Sequence, residues 1–262
     1  MDIEVLMSTC NKNSIAELDL DSRNIKEKCV IINQMAEKYK EEINDTIKMY
    51  SYPEKGLAKS RNKLIEHSTG DIGIITDDDI SFDADYDKKL EEAYTKYPKA
   101  DIITFCTKKG NEIVGFNKLK KHNLYTIMTI ASFQISFRIS SIKKYNIKMD
   151  ELFGLGAKYK AGEENIFLYD CKKKGLNVIH IPEIINEHPD EATTGEKWDS
   201  DLIKTKGAFS YRILGNFHFI FLIYFLILKY KYYKKVVSIS EFVKIYMIGV
   251  REYKKISKEK RC

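Results

Sequence analysis

Residues 56–82 read GLAKSRNKLIEHSTGDIGIITDDDISF, and this stretch decides the fold. Leu57, Leu64 and Ile65 are spaced so that they give a helix one apolar side, and a Ser-Thr-Gly turn then ends that helix. A continuous apolar run follows over residues 72–75, as in a strand that is covered on both faces. The stretch therefore predicts a helix, a turn and a buried strand of an α/β sheet.

The predicted strand ends in three consecutive carboxylates, Asp77, Asp78 and Asp79. Adjacent carboxylates repel one another, so this arrangement favours a bound cation. Hard oxygen ligands suit Mg²⁺ or Mn²⁺, and ligands of open α/β sheets lie outside the carboxyl ends of the strands. In isolation, three aspartates more often form a solvated acidic turn, so the choice depends on the neighbouring motifs.

Further runs extend the predicted sheet in both directions along the chain. Each is short and either continuously apolar or alternating, as strands are, and amphipathic spacing between them indicates helices. These patterns predict strands over residues 3–8, 29–32, 46–50, 101–106, 133–142 and 178–182, and helices over residues 86–97 and from residue 162 onward.

Two blocks of the sequence together resemble the family-2 glycosyltransferases. The first block joins residues 56–62 to residues 70–79, and the second joins Gly-Glu-Glu at 162–164 to the strand at 178–182. The resemblance covers roughly residues 2–190. It implies a GT-A fold, in which a mostly parallel sheet with helices on both faces binds a nucleotide sugar and carries an Asp-x-Asp metal motif.

The resemblance and the composition together predict two parts. Residues 1–206 form the glycosyltransferase domain, with a donor-binding half over 1–106 and an acceptor half over 107–206. Residues 207–262 form an apolar and basic segment that associates with a membrane.

The resemblance also implies which residues bind the donor. Asn11 lies in the loop that contacts the nucleotide in that family, although asparagine at a strand end is more often a turn former. Asn33 stands where many members carry an aspartate that reads the base, so the base stays open. Arg61 either stabilises the nucleotide phosphates or holds the acidic cluster in place. The predicted donor-binding residues are Thr9, Asn11, Asn33, Arg61, Asn62, Asp77 and Asp78.

The metal site and the catalytic base are implied in the same way. Asp77 and Asp79 are expected to bind Mn²⁺ or Mg²⁺, and His188 either completes this site or is structural. Glu164, with Glu163 beside it, occupies the place of the family's catalytic carboxylates, although the second member here is glutamate and not aspartate. Acidic residues in a first helical turn are also ordinary partners of the helix dipole.

Charge and cysteine usage limit the other functions of the chain. The net charge is +6, yet residues 229–262 hold 11 Lys and Arg against 3 Asp and Glu, so the rest of the chain is slightly acidic. A nucleic-acid-binding core is therefore not expected. The 5 cysteines are odd in number and form no CxxC pair, which favours a reducing compartment. The first residues, MDIE, lack a secretory pattern.

Two segments near the C terminus differ from the rest. Residues 190–206 are polar, contain Trp198 and are expected to form a mobile loop over the donor or acceptor. Residues 217–228 read FHFIFLIYFLIL, which at 1.5 Å per residue spans only about 18 Å against about 30 Å for a bilayer core. This segment is either a buried core helix or, as the lysines and tyrosines of 229–235 favour, an in-plane membrane helix.

These observations predict a metal-dependent, inverting glycosyltransferase that moves a sugar from a nucleoside-diphosphate sugar to an acceptor hydroxyl. Its acceptor would be a glycan or glycolipid in surface polysaccharide synthesis, and the enzyme would be cytoplasmic and peripheral on the inner face of the cell membrane. A nucleotidyltransferase would need a glycine-rich loop after the first strand, where the sequence reads STCNKN. A non-catalytic adaptor that binds sugar nucleotides or membranes would not need Glu164.

Overall fold

The computed structural model of the 262-residue chain describes residues 1–44, 46–189 and 198–259. Within them, eleven strands form one sheet. Their bounds are β1 Ile3–Cys10, β2 Lys28–Gln34, β3 Lys40–Ile43, β4 Ile47–Ser51, β5 Ile72–Asp77, β6 Ser81–Phe82, β7 Ile102–Lys109, β8 Glu112–Val114, β9 Lys120–Lys121, β10 Ile135–Arg138 and β11 Val178–His188. The α-helices are α1 Leu57–His67, α2 Tyr86–Lys96, α3 Leu124–Ile127, α4 Ile139–Lys144, α5 Glu163–Lys173, α6 Ser200–Leu214, α7 Phe219–Leu228, α8 Tyr230–Tyr233 and α9 Ile239–Glu259.

The sheet is mixed but mostly parallel at its centre. Its order is β3-β4-β2-β1-β5-β10-β7-β11-β6, with β8 added to β7 and β9 added to β11. Strands β4, β2, β1 and β5 run parallel to one another, as do β7 and β11. Strand β10 is antiparallel to both of its neighbours, β5 and β7. The carboxyl ends of β1, β5 and β11 therefore lie at one edge of the sheet, where a ligand site is expected.

Helices cover both faces of the sheet, as predicted for a GT-A fold. Side chains alternate along β1, so Val5 and Met7 pack on one face while Leu6 packs on the other. The first face is covered by α2, which buries Leu90 and Tyr94 there. The opposite face is covered by α1, α4 and α5. Burial on both faces explains why β1, β2 and β5 are continuously apolar in sequence.

The strand predicted over residues 133–142 is wrong in its second half. Strand β10 ends at Arg138, and the helix α4 begins at the next residue, Ile139. Ile139 and Ile142 are both buried, because their spacing of three residues places them on one side of a helical turn. Within a run of four to ten residues, apolar residues at this spacing do not distinguish a strand from a helix.

The loop predicted over residues 190–206 is also corrected in part. Residues 190–197 lie outside the described residues, whereas α6 begins at Ser200, and the carboxylate of Asp199 caps it by accepting from the Leu202 amide at 2.7 Å. The Trp198 ring packs against Phe225 and Phe242, with ring centroids about 6 Å apart. Trp198 therefore belongs to the core of the C-terminal helices and not to a loop over the site.

The helices α6 and α9 pack on the catalytic domain. A Cβ atom on Gly207 would lie 2.0 Å from the Tyr246 carbonyl oxygen, and one on Gly249 would lie 1.9 Å from that of Lys204, so the two backbones touch at these glycines. The predicted boundary between residues 206 and 207 falls inside α6. Arg212 of α6 binds Asp150 at 2.9 Å and Asp170 of α5, which ties this helix pair to the domain.

The apolar helix α7 has two different sides. Phe225 is buried against Tyr233, Phe242 and other residues of the C-terminal cluster. Ile223 and Ile227, in contrast, are more than half exposed. No helix within the described part of the chain is both long and apolar enough to cross a membrane.

Candidate active site

A cleft of about 750 Å³ opens at the carboxyl ends of β1, β5 and β11. One wall comes from these strand ends, and the other comes from the start of α5 and the loop before it. Seven of the predicted site residues line the cleft: Thr9, Arg61, Asp77, Asp78, Asp79, Glu163 and Glu164, and His188 joins them from β11.

Arg61 joins the two walls of the cleft. Its guanidinium donates to Glu163 at 2.8 Å, to both carboxylate oxygens of Asp77 at 2.9 and 3.2 Å, and to the Ser132 hydroxyl at 2.8 Å. The side chain is only 2% exposed. Burial would lower the pKa of Arg61, but the charges of Asp77, Glu163 and Glu164 raise that pKa above its ordinary value. These contacts hold Asp77 and Glu163 in place, and the predicted role of Arg61 toward the nucleotide phosphates stays a prediction.

Asp79 and His188 form a second, more open pair. The Asp79 Oδ2 atom lies 3.9 Å from His188 Nε2, and the buried Asp79 Oδ1 atom has no hydrogen-bond partner within the described residues. Burial, followed by the charge of Asp77, raises the pKa of Asp79. His188 Nδ1 lies 2.6 Å from the Pro189 carbonyl oxygen. Because a carbonyl oxygen only accepts, Nδ1 donates there, and Nε2 is the ring nitrogen that faces Asp79.

These two side chains fit a divalent cation. The Asp79 carboxylate, with Oδ1 lacking a partner among the described residues and Oδ2 3.9 Å from His188 Nε2, together with that imidazole supplies the kinds of ligand that Mn²⁺ or Mg²⁺ binds. Among the described residues, no group of three or more His, Cys, Asp and Glu is placed to hold a metal ion by itself. Magnesium-type sites commonly use one or two protein ligands together with substrate phosphates, so two ligands are compatible with a metal that binds with the donor. Asp77, the third predicted ligand, already uses both carboxylate oxygens on Arg61.

The two glutamates at the start of α5 differ in their partners. Glu163 is buried and ion-paired with Arg61, and its carboxylate fits against Gly154 so closely that an added Cβ there would lie 2.8 Å from Glu163 Cδ. Gly154 also has a φ of +99°, which favours glycine. Glu164 lines the cleft and forms no such ion pair with another described residue, and burial together with the charge of Glu163 raises the pKa of Glu164 above its ordinary 4.5. A carboxyl with a raised pKa suits proton transfer near neutral pH.

Asp78 is held by a residue from the first strand. The Thr9 hydroxyl donates to Asp78 Oδ2 at 2.5 Å. This hydrogen bond fixes the middle carboxylate against the end of β1, so the three aspartates point to three different partners. Asp77 meets Arg61, Asp78 meets Thr9, and Asp79 faces His188.

Three predicted donor-binding residues do not line the cleft. The buried Asn33 side chain instead bonds the Lys12 main chain at 3.0 and 2.7 Å and the Ser51 hydroxyl at 3.0 Å, which fixes the loop after β1. Asn11 forms the turn itself, with a φ of +56°. The Asn62 side chain bonds the main chain of Met149 at 2.7 and 3.0 Å and lines a separate cavity of about 460 Å³.

The structure adds residues to the cleft that the sequence did not single out. Gln34 is the last residue of β2, and its side chain accepts from the Gly56 amide at 2.9 Å, which positions the start of α1. Lys55 and Lys160 bring positive charge to the cleft from loops that lie 22 and 81 residues from the nearest cleft aspartate in sequence. A lysine in a polar loop has the same local pattern as a solvated lysine, so no signal in the sequence marks these two.

Comparison with known proteins supports the assignment of the fold and the family. The model of the family described as Glycosyl transferase family 2 matches residues 32–160. A crystal structure of S. aureus TarS 1–349 is similar with a TM-score of 0.62 at 13% identity, over 95% of this chain and 81% of that one. TarS 1–349 in complex with UDP-GlcNAc gives a TM-score of 0.63 at 13% identity, over the same 95% and 82%. A further crystal structure of S. aureus TarS gives a TM-score of 0.59 at 15% identity, over 92% of this chain and 46% of that one.

No curated protein sequence matches the chain significantly. At these identities the similarity to TarS shows the fold alone, which agrees with the mixed, mostly parallel sheet and its helices on both faces. The matched family residues include α1, the strand-end aspartates and the loop that leads to α5. The chain therefore carries a glycosyl transferase family 2 domain over residues 32–160, and it is a glycosyltransferase.

Proposed function

We propose that this enzyme transfers a sugar from a nucleoside-diphosphate sugar to an acceptor hydroxyl with inversion, and that it uses a divalent metal. The donor lies in the cleft along the carboxyl ends of β1 and β5. Thr9, Asp78 and the partly exposed Asp77 face the donor, while Lys55 and Lys160 supply positive charge to the same cleft. TarS, which shares this fold, has been crystallised with UDP and with UDP-GlcNAc, and this makes a uridine donor the first to test.

We assign the metal to the wall formed by the strand ends, which we call the strand-end wall, and there to the open pair of Asp79 and His188. Asp79 and His188 would hold Mn²⁺ or Mg²⁺, with the remaining ligands taken from the donor diphosphate. When bound, the cation stabilises the negative charge that develops on the departing diphosphate. Asp77 contributes to this wall through Arg61, which offsets its charge and limits the repulsion among the three aspartates.

Glu164 is the proposed base. In an inverting transfer, the acceptor hydroxyl must lose its proton as its oxygen attacks the sugar, and a positioned carboxylate that accepts this proton contributes about 10²–10⁴ in rate. Glu163 is less suited, because its carboxylate is engaged by Arg61 at 2.8 Å. Glu163 instead aligns Arg61 and the first turn of α5, which places Glu164 at the cleft.

The main support for the proposal is the arrangement of the carboxylates in the cleft. Arg61 joins the two walls of the cleft by pairing with one carboxylate on each. On each wall, a nearby carboxylate faces the cleft without that pairing. An adaptor that only binds sugar nucleotides does not need the unpaired Glu164. A nucleotidyltransferase is disfavoured by the family match and by the absence of glycine from the loop that follows β1.

The last part of the proposal concerns the acceptor of the sugar and the location of the enzyme in the cell. We infer a glycan or glycolipid acceptor, as in surface polysaccharide synthesis, at the inner face of the cell membrane. The support for this part is the apolar and basic composition of residues 213–235, with FHFIFLIYFLIL followed by KYKYYKK.

A thermal-shift experiment tests the donor and metal together. Nucleoside diphosphates are compared with and without Mn²⁺, and a ligand at 100 times its Kd stabilises the native state by about 2.7 kcal/mol. For a domain of this size such a gain raises Tm by roughly 5–10 °C. We expect this shift for UDP or one other nucleoside diphosphate only when Mn²⁺ is present. A shift of equal size without metal would contradict the metal-dependent mode of binding, and no shift with any nucleoside diphosphate would contradict the donor class.

A further inference from the structure

The outer side of α7 is an apolar surface that the described part of the chain leaves uncovered. Ile220, Ile223 and Ile227 are 52%, 53% and 68% exposed, and their spacing of three and four residues places them on one side of the helix. Phe217, Phe219 and Leu228 extend this surface at the two ends of α7. We name these six residues the outer face of α7. An exposed apolar surface of this extent marks an interaction site.

The opposite side of α7 is packed and holds the helix in place. Phe225 is buried, and Phe221 lies within about 6 Å of both Phe225 and Phe209 by ring centroids. The helix therefore has a fixed orientation on α6 and α9, and its outer face is a permanent feature of the folded chain. Its exposure does not depend on unfolding or on a moving loop.

Positive charge borders the outer face. Residues 229–235 read KYKYYKK, and no Asp or Glu occurs anywhere in residues 202–240. Tyr230 and Tyr232 are 44% and 49% exposed, and the Lys231 ammonium lies 4.8 Å from the Tyr232 ring centroid. Exposed tyrosines and lysines beside apolar side chains are typical of helices that lie in the headgroup region of a bilayer.

We propose that the outer face of α7 docks flat on an anionic membrane, while α6 and α9 stay in the protein core. A second copy of the chain is a poorer partner, because in a two-fold contact through this surface residues 202–240 would offer no Asp or Glu to pair with the four lysines of 229–235. An anionic bilayer matches both features, since its headgroups attract lysine and its acyl boundary takes up the isoleucines. At ten residues, α7 is too short to span the bilayer.

The docked helix is connected by packing to the helix that carries the proposed base. Phe221 of α7 packs on Phe209 of α6, with ring centroids 6.1 Å apart, and a Cβ atom on Gly162 at the start of α5 would lie 2.8 Å from the Phe209 ring. This inference deepens the proposed function and rests on it for the nature of the acceptor, because a membrane at this surface would present lipid-linked acceptors to the enzyme.

Truncation of the C-terminal helices is not a suitable test of membrane binding. Truncation after Asn216 would remove α9, whose Tyr253 packs with Phe153 and donates to Asp150 at 3.0 Å, so the truncated domain would lose part of its core. Point substitutions on the outer face avoid this problem. Glutamine forms helices well and keeps the side chain long, so Ile220→Gln, Ile223→Gln and Ile227→Gln together should leave folding unchanged.

The experiment is sedimentation of the full chain with vesicles made of equal amounts of phosphatidylcholine and phosphatidylglycerol, and with vesicles of phosphatidylcholine alone. The wild type should sediment with the mixed vesicles, and the triple variant should lose at least about tenfold in partitioning because three apolar side chains no longer leave water. The matched control is Ile43→Gln, Ile113→Gln and Leu119→Gln, three equally exposed apolar residues elsewhere, and it should bind as the wild type does.

A second set of variants tests the charge. Lys231→Gln, Lys234→Gln and Lys235→Gln should reduce binding to the mixed vesicles, whereas the same change at Lys96, Lys99 and Lys144 should not. Equal melting temperatures of all variants establish that the fold is retained. The proposal is overturned if the wild type stays in solution with both vesicles, if the outer-face variant binds like its control, or if sedimentation velocity shows that the outer face joins two copies instead. None of these readouts uses sugar transfer, so failure of the docking proposal and failure of the proposed function are distinguishable.

Discussion

The two walls of the cleft are built on the same plan but from different elements. The strand-end wall places Asp77 on Arg61 and leaves Asp79 facing His188, while the helix wall places Glu163 on Arg61 and leaves Glu164 at the cleft. In the function we propose, the paired carboxylate of each wall is structural support, and the carboxylate without that pairing is available for chemistry. The comparison teaches that the cationic partner, and not the acidic sequence motif, separates the two roles.

The largest expected effect comes from the helix wall. Glu164→Gln keeps the shape of the side chain but cannot accept a proton, so release of nucleoside diphosphate from the nucleotide sugar should fall by about 10²–10⁴. Donor affinity, measured by isothermal titration with Mn²⁺ present, should stay near that of the wild type because the donor lies against the other wall.

Glu163→Gln is the matched comparison for that substitution. It removes the buried partner of Arg61, so it should lower the free energy of unfolding more than Glu164→Gln does. A loss of turnover in Glu163→Gln that equals or exceeds the loss in Glu164→Gln, in protein of unchanged stability, would reverse the two assigned roles.

The next effect is on stability and concerns both walls at once. Arg61→Met leaves Asp77 and Glu163 without their shared cation, and breaking a buried ion pair in this way costs about 3–5 kcal/mol. Urea unfolding measures the loss. Lys63→Met removes a half-exposed ion pair with Glu54 from the same helix, and it should cost no more than about 1 kcal/mol.

Equal losses in the two variants would show that Arg61 does not hold the walls together. Arg61→Lys sharpens the test, because an ammonium cannot bond Asp77, Glu163 and Ser132 in the geometry of a guanidinium. It should therefore fall between Arg61→Met and the wild type.

The histidines also differ in whether their ring nitrogens have hydrogen-bond partners within the protein. His122 is buried, with Nε2 2.8 Å from the Thr104 hydroxyl and Nδ1 3.1 Å from the Thr126 hydroxyl, and burial lowers its pKa from 6.5 to about 4. Because the folded-state pKa lies below the unfolded-state pKa, the neutral form stabilises the fold above pH 6.5. This contribution is lost as the pH falls from 6.5 toward 4.

The expected loss over that window is on the order of 3 kcal/mol, at about 1.4 kcal/mol per pKa unit. Urea unfolding at a series of pH values measures it, and His122→Gln should make the profile flatter. An unchanged profile in the variant would show that another group causes the acid sensitivity.

The smallest expected effect belongs to the open pair of the strand-end wall. Asp79→Asn should reduce the affinity for a nucleoside diphosphate with Mn²⁺ present by at least about tenfold, since one charged metal ligand is lost. Affinity without metal should not fall, because the carboxylate itself repels the diphosphate. Asp83→Asn, which alters a carboxylate paired with Lys89 outside the cleft, is the control. Identical metal-dependent binding in the two variants would remove Asp79 from the proposed site.

The sequence predicts the elements of this site better than their partners. Strand β5, helix α1 and the start of α5 all follow from local periodicity and from turn residues, which act over a few positions. The pairing of Arg61 with Glu163 joins residues 102 positions apart, and no local pattern contains it. The same holds for Asn62, whose position beside Arg61 suggested the donor but whose side chain fixes the main chain of Met149.

In the C-terminal region, composition predicts fewer parts than the structure contains. Composition alone predicts one membrane-associating segment over residues 207–262. The structure divides them, because Gly207 and Gly249 let α6 and α9 pack with their backbones in contact, whereas the outer face of α7 has no such partner. The role of those glycines depends on which helices cross, so the sequence alone does not reveal it.

The most direct test of the account is the pH dependence of turnover in the wild type and in Glu164→Gln. The pKa of Glu164 is raised above its ordinary 4.5, so its deprotonated, proton-accepting form is gained as the pH rises through a value above 4.5. In the wild-type profile of turnover against pH, we expect the acidic limb to lie at a higher pH than an ordinary glutamate would give. We also expect this limb to be absent from the low residual activity of Glu164→Gln. A limb of the same position in the variant, or wild-type activity that persists fully below pH 4.5, would contradict the assignment of Glu164 as the base.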